Sequence, residues 1–192
     1  YDNPSKKMSL IGITGTNGKT TTAFIVKSIL ESANLKVGLI GTLGVIAKDI
    51  KNEKTLTTPD PISLNKILNN LFLNGFSHIV MEVSSHAIDQ YRVENIHFKV
   101  AAFTNISPEH LDYHGTFENY KKTKAKLFDR LPKDSKSIIN VDDEFGKEIS
   151  KHIPTEVSPF SRKKRTDTYF KNIKFSTQGI TGKINSFNKE LK

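Results

Sequence analysis

The sequence predicts an α/β fold built on a mostly parallel sheet with helices on both faces, and three observations predict it. Short apolar runs recur along the chain as "MSLIGIT", "KVGLIGT", "SHIVMEV", "FKVAAFTNI" and "SKSIINVDD". Segments with helical spacing separate them, and the first run passes through a glycine-bearing turn straight into a helix. Strands covered on both faces lose the in-and-out alternation of half-exposed ones, and parallel neighbours need a crossover long enough to hold a helix.

The elements follow in order. "MSLIGIT" is the first strand, and residues 19 to 33 form a helix that places Phe24, Ile25, Ile29 and Leu30 at helical spacing. "KVGLIGT" is the second strand. "PISLNKILNNLFLNG" is a helix opened by Pro61 and closed by Gly75, and "SHIVMEV" is the third strand. "FKVAAFTNI" gives the fourth, "TFENYKKTKAKLFDRL" a helix, and "SKSIINVDD" a fifth strand with a helix near "EFGKEISKHI". After Pro154 the texture changes to "TEVSPFS", "TYFKNIKFST" and "GITGKINSFN", whose period-two alternation and Gly turns predict short antiparallel strands on the edge of the sheet over 155–192. In a sheet of this kind functional residues belong on loops at the carboxyl ends of the strands.

Composition narrows the function. With 36% apolar and 26% charged residues the chain is that of a globular protein of one main domain, and no apolar stretch approaches the length of a membrane helix. The opening "YDNPSKKMSLIG" lacks an initiating Met and a signal-peptide pattern, so the chain reads as cut from something longer. The absence of Cys excludes disulfides and thiolate metal sites, which leaves oxygen and nitrogen as metal ligands. A formal charge of +9 suits anionic substrates. The basic residues are scattered apart from Arg162 to Arg165, which reads as a solvated loop or as a contact with an acidic partner.

"IGITGTNGKTTT" nearly spells a phosphate-binding loop, yet Ile13 stands where the usual G-x-x-x-x-G-K-[ST] pattern has its first glycine. The physics survives the broken spacing. Gly15, Asn17 and Gly18 let backbone N–H groups turn toward phosphate oxygens, the helix beginning at Lys19 adds its dipole, Lys19 can reach the outer phosphates and Thr20 can ligate magnesium. A plain Gly-rich turn before a helix is the alternative, and the Lys-Thr pair at the helix start argues against it.

Further along, "MEVSSHAIDQYRV" releases Glu82 at the end of a buried strand, either as a magnesium ligand or as one half of a strand-end salt bridge. "FTNISPEHLDYHG" lays His110, Asp112 and His114 close together at another strand end; taken alone, His110 reads equally as a hydrogen-bonded loop histidine. The lysines of "ENYKKTKAKLF" read as solvated charges. Thr57 and Thr58 read as a cap and turn ahead of Pro61, and Arg92 as a surface ion pair.

"TGTNGKTTT", together with "GTLG", "TTPDP", "MEVSSHA" and "EHLDYHG", resembles the Mur ligase family of ATP-dependent amide-forming ligases, a family that includes folylpolyglutamate synthetase. The nearest branch adds the third amino acid of the peptidoglycan stem. The resemblance implies that residues 1–192 are a central ATPase domain, with the UDP-binding and amino-acid-binding domains outside it, and that the fragment alone has little ligase activity.

The resemblance also implies the site. Gly15, Thr16, Asn17, Gly18, Lys19, Thr20 and Thr21 would hold ATP; Thr20 and Glu82 would hold one magnesium; His110 and a carbamylated Lys124 would hold a second. Lys124 is chosen by the family spacing, four residues after Tyr120 and fourteen after His110. Glu109 stands where the family usually has Asp, which leaves the His110 ligand in place. Lys19, Glu82, His110 and Lys124 are the implied catalytic set. Thr57, Thr58, Ser84, Gln90 and Arg92 would contact UDP-N-acetylmuramoyl-L-Ala-D-Glu, whose D-Glu side-chain carboxylate is phosphorylated before a diamino acid, diaminopimelate or lysine, attacks it. A cytoplasmic monomer without nucleic-acid or membrane partners is the expectation. The competing expectations are a folate-directed ligase of the same group and a non-enzymatic nucleotide-binding module that uses Arg162 to Arg165 on nucleic acid.

Overall fold

A computed structural model describes residues 1–52, 54–177, 179–187 and 189–191. A 3-10 turn at Pro4–Lys6 leads into β1 (Ser9–Thr14), followed by α1 (Lys19–Ser32), β2 (Val37–Gly41), β3 (Gly44–Ile46) and α2 (Pro61–Leu73). Then come β4 (His78–Glu82), α3 (Ser85–Asp89), β5 (Phe98–Phe103), α4 (Leu111–His114), α5 (Phe117–Asp129), β6 (Lys136–Asn140) and α6 (Glu144–Ile149). β7 (Glu156–Ser161), β8 (Thr168–Ser176), β9 (Gly179–Ser186) and β10 (Lys189–Leu191) complete the chain.

The strands form one sheet in the order β10-β9-β8-β7-β6-β5-β1-β4-β2-β3. β1 pairs in parallel with both β4 and β5, so the chain order reverses around β1 and opens a crevice at the carboxyl ends of these three strands. The α/β class and the mostly parallel sheet are as the sequence predicts.

Side chains alternate across the sheet as the pleat requires. Leu10, Ile40, Ile79 and Met81 face a core built with Leu64, Leu68 and Leu71 of α2 and Leu127 and Phe128 of α5. Ile13, Val37, Leu39 and Val80 face the opposite side, under Ala23, Val26 and Leu30 of α1.

The structure departs from the sequence reading in three places. "TEVSPFS" becomes β7, which pairs in parallel with β6; the antiparallel arrangement begins only with β8 and β9. The loop Ser150–Thr155 following α6 returns the chain to the start of the sheet, so β7 closes one more crossover unit. On α1, Phe24, Ile25 and Ile29 are exposed and, of the four residues noted at helical spacing, only Leu30 packs inward, because the stripe that meets the sheet is Ala23, Val26 and Leu30 at i, i+3 and i+7. The segment after β2 folds back as the antiparallel β3, joined by Thr42 and Leu43, a turn too short to give a hydropathy signal.

Gly146 sits where α6 crosses the end of β6. A Cβ there would lie 2.0 Å from the Asn140 carbonyl oxygen and 3.2 Å from the Phe103 ring. Gly146→Ala is therefore expected to destabilise the chain by about 2 to 3 kcal/mol, read as a lowered urea midpoint at unchanged slope.

Candidate active site at the carboxyl edge of the sheet

The loop after β1 is shaped by what stands beside it. Gly15 has φ +148, and a Cβ there would lie 2.0 Å from Thr104 Oγ1 and 3.0 Å from the Asn105 carbonyl oxygen. Gly18 has φ +84 and begins α1 without a side-chain cap. The helices α2, α3, α5 and α6 are capped by Asp60, Ser84, Thr116 and Asp143, whereas α1, like the one-turn α4, has no side-chain cap, and the first turn of α1 holds no acidic residue. Its first N–H groups therefore lack a side-chain acceptor, as suits an end that receives an anion.

The stretch leaving β5 clamps this loop. Asn105 accepts from the Asn17 amide through Oδ1 at 2.9 Å and donates through Nδ2 to the Asn17 carbonyl at 3.0 Å. Thr104 Oγ1 donates to the same carbonyl at 2.7 Å, and Thr16 N donates to the Asn105 carbonyl at 2.8 Å. Thr16 Oγ1 lies 3.1 Å from the Tyr120 hydroxyl and accepts from Ser107 N at 3.0 Å.

Two lysines converge on one carbonyl. Lys19 Nζ donates to Gly15 O at 2.9 Å and to Thr16 O at 2.8 Å, and Lys124 Nζ donates to Gly15 O at 3.1 Å. Lys124 is 1% exposed, the only lysine among the described core residues, and its ammonium lies 4.6 Å from the Tyr120 ring centre. Burial, then the neighbouring Lys19 cation, pushes the Lys124 amine down to about 7, against an opposing pull from Glu109. Burial lowers Lys19 as well, opposed by Glu109 and Glu82.

On the other side of the loop Glu82 is 1% exposed at the end of β4. Its Oε2 accepts from Thr20 Oγ1 at 2.8 Å and from Thr42 Oγ1 at 3.3 Å, while Oε1 accepts from Thr42 N at 3.0 Å. A Cβ at Gly41 would lie 2.2 Å from Glu82 Oε1, so this glycine is what leaves room for the carboxylate. Among the described residues no cation lies within ion-pair distance of Glu82, whose carboxylate is held by hydroxyl and amide donors instead. Thr20 and Glu82 offer only oxygen donors, the set a hard divalent cation such as magnesium takes. Among the described residues no three of His, Asp and Glu gather into a metal cluster, so such a cation needs oxygens from elsewhere to complete its shell.

His110 precedes α4 in the left-handed region, φ 56. Its side chain is 44% exposed and lies 3.7 Å from Glu109, with the His86 ring 4.9 Å away and the Tyr120 ring 6.2 Å away. Tyr120 is thus the shared neighbour of His110 and Lys124, which do not hydrogen-bond to each other. His114, without a predicted role, is buried with Nε2 3.0 Å from Ser85 Oγ, and burial first, then His86, lowers its imidazole.

The residues expected to bind substrate form a second cluster. Thr58 Oγ1 donates to the Glu82 carbonyl at 2.9 Å and accepts from Ser84 N at 3.1 Å. Ser84 Oγ caps α3 by accepting from Ala87 N at 3.2 Å. Arg92 donates through Nη1 to the Thr58 carbonyl at 3.0 Å and through Nε to Gln90 Oε1 at 2.9 Å. Arg92 is therefore no surface ion pair. Thr57 faces Thr42 instead, at 3.3 Å between hydroxyls, and Thr21 is exposed away from these contacts.

Sequence reasoning missed Thr42, Thr104, Asn105 and Tyr120, which act on the site through backbone or neighbouring side chains. The structure shows the close approach at Gly15 and Gly41, and residue type alone gave no signal for the four side chains. A cleft of about 570 Å³ lined by Lys6, Ile96, Leu127 and Arg130 contains none of the predicted residues. It lies by the entry to β5, at the opposite end of the strands from the loops; chemistry, not volume, marks the site.

A parallel sheet whose first strand feeds a capless helix through Gly15 and Gly18, with a lysine and a hydroxyl opposite a buried carboxylate, defines a domain built to hold phosphate groups. The family model described as Mur ligase middle domain matches residues 13–192, and the chain belongs to the Mur ligase family. It is 45% identical over 190 residues to the UDP-N-acetylmuramoyl-L-alanyl-D-glutamate--2,6-diaminopimelate ligase of Clostridium perfringens, covering 96% of this chain and 39% of that one. It is 42% identical over 167 residues to the ligase of the same name from Bacteroides fragilis, covering 87% of this chain and 34% of that one. A solved structure of a ligase of that name superposes with a TM-score of 0.85 at 28% identity, over 96% of this chain and 38% of that one. The Mycobacterium tuberculosis folylpolyglutamate synthase complexed with ADP and AMPPCP shares the fold, with a TM-score of 0.74 at 16% identity over 98% of this chain and 50% of that one. The chain spans about two-fifths of the curated relatives it matches.

Proposed function

We propose that this chain is the central domain of an ATP-dependent ligase that joins diaminopimelate to UDP-N-acetylmuramoyl-L-Ala-D-Glu through an acyl phosphate. The observation that carries the reading is the buried Lys124, held on the carbonyl of Gly15 with its amine lowered to about 7. A lysine neutral near pH 7 can take up CO2 as a carbamate, which turns a cation into an anionic oxygen donor beside the phosphate loop. The choice of diaminopimelate over lysine rests on the printed names of the relatives. A cytoplasmic monomer remains part of the proposal.

The roles follow from placement. Residues 15–21 receive the ATP phosphates on backbone N–H groups, and Lys19, now on the Gly15 and Thr16 carbonyls, turns outward to the transferred phosphoryl. Thr20 and Glu82 would hold one magnesium, and His110 with a carbamylated Lys124 would hold a second. Bound there, the two ions would neutralise the charge that builds on the phosphoryl oxygens. Thr57, Thr58, Ser84, Gln90 and Arg92 bind the anionic muramyl dipeptide and bring its D-Glu carboxylate to the phosphoryl group. A carboxylate oxygen attacks phosphorus and ADP leaves; the amine of diaminopimelate then attacks the acyl carbon and phosphate leaves with that oxygen.

The test is product mass after incubating the complete ligase with ATP, magnesium and UDP-N-acetylmuramoyl-L-Ala-D-Glu, with diaminopimelate and lysine in separate reactions. The expected product carries one added diaminopimelate. Addition of lysine alone would move the specificity, and no product beside efficient glutamate addition to a folate would overturn the proposal.

A further inference from the structure

Asp89, Tyr113, Gln90 and Arg92 form a hydrogen-bond chain of fixed polarity. Asp89 Oδ2 accepts from the Tyr113 hydroxyl at 3.0 Å, and Tyr113 accepts in turn from Gln90 Nε2 at 3.2 Å. Gln90 Oε1 then accepts from Arg92 Nε at 2.9 Å and from Arg92 Nη2. The other Asp89 oxygen lies 3.5 Å from Lys126 Nζ.

Each end of this chain permits one direction only. An ionised carboxylate can only accept and a guanidinium can only donate. The Tyr113 hydroxyl has one proton, and giving it to Asp89 leaves that oxygen free to accept from Gln90. Gln90 must then present its NH2 to Tyr113 and its carbonyl to Arg92. Arg92 favours the Gln90 carbonyl over its NH2, and the phenol oxygen anchors the other end of the amide; without that oxygen the NH2 loses its acceptor and the Gln90 side chain is free to swing away from Arg92.

The chain also spans two parts of the site. Tyr113 lies on α4, the short helix that begins beside His110, and Gln90 and Arg92 follow α3. The Tyr113 ring packs 4.3 Å from His86 and 4.8 Å from His114, so its hydroxyl is held by packing as well as by hydrogen bonds. Arg92 reaches onward to the Thr58 carbonyl, whose side chain is bonded to the end of β4.

We propose that Tyr113 is a positioning residue for the anionic muramyl substrate, fixing the Gln90 amide so that Arg92 is held in one orientation toward it. This rests on the assignment of Gln90 and Arg92 to substrate binding made above. Tyr113 itself touches no reacting atom.

The test is steady-state kinetics of the complete ligase with Tyr113→Phe and Asp89→Leu, which remove the relay oxygen or the acceptor of its proton with little change in bulk. Arg92→Ala is run beside them. Both relay variants are expected to raise KM for the UDP-linked dipeptide about tenfold, with KM for ATP and kcat within about twofold of wild type and an unchanged melting temperature. Adding either to Arg92→Ala should have no further effect, because the residue being oriented is gone. An unchanged KM for the dipeptide in Tyr113→Phe, with Arg92→Ala impaired, would overturn the role of Tyr113 alone. Equal rises for dipeptide and ATP would reduce it to general packing, which also overturns it. An unimpaired Arg92→Ala would remove the substrate assignment on which the inference stands.

Discussion

Lys124→Met is expected to make the chain more stable near neutral pH and the ligase at least about 100-fold slower. Lys124 is 1% exposed, and its amine falls from 10.5 to about 7 through burial and then the Lys19 cation. The unfolded chain therefore binds more protons than the folded one between those two values, so wild-type stability rises with pH across that window. Below about pH 7 the destabilisation is fully present; toward pH 10.5 it disappears. A methionine keeps most of the stem's volume and removes the titration. The gain in unfolding free energy at pH 6 should be of order 3 to 5 kcal/mol in CO2-free buffer and should shrink steadily as pH rises. Urea melts at several pH values check it, and equal stability of the two proteins at every pH would refute the account of Lys124. The loss of turnover has a separate cause, since methionine cannot become an anionic oxygen donor.

Gly15→Ala should be the most damaging single-methyl change in the loop. The added Cβ would stand 2.0 Å from Thr104 Oγ1 and 3.0 Å from the Asn105 carbonyl oxygen, at a φ of +148 that a side chain rarely adopts. Thr104 cannot yield freely, because its hydroxyl donates to the Asn17 carbonyl at 2.7 Å, and Asn105 is tied to Asn17 at both ends of its amide. Relief has to come from the loop itself, which carries the carbonyl that Lys19 and Lys124 share. The KM for ATP is expected to rise more than about tenfold and kcat to fall by a similar factor, with a melting temperature lowered by only a few degrees. Calorimetric ATP binding to the same variant separates loss of affinity from loss of fold; wild-type affinity would contradict the packing argument.

What the sequence made legible, and what it did not, divides along physical lines. Buried parallel strands announce themselves as short apolar runs, so β1, β2, β4, β5 and β6 fall where the hydropathy placed them. β7 was misread because Ser158 and Ser161 interrupt its apolar residues and imitate alternation, although both serines are buried. The loop glycines were visible because backbone freedom is written in residue type. The lysine inside the fold was singled out only through the family spacing, since residue type alone does not separate the buried Lys124 from the exposed Lys122. Helical phase explains it: Tyr120, Lys124, Leu127 and Phe128 share one inward face of α5. The Asn105 clamp and the Tyr113 relay depend on residues distant in sequence meeting at one edge, and a single sequence holds no record of such meetings.

The central claim is that the carboxylate is activated by phosphoryl transfer at the loop between Lys19 and Lys124. The measurement that tests it most directly follows oxygen. UDP-N-acetylmuramoyl-L-Ala-D-Glu labelled with 18O in the D-Glu side-chain carboxylate is turned over by the complete ligase with ATP and diaminopimelate, and the released phosphate is analysed by mass. An acyl phosphate route carries one carboxylate oxygen into phosphate at every turnover, so phosphate gaining one 18O in step with product is the predicted result. Product formed with unlabelled phosphate, or with the label in AMP, would contradict the account.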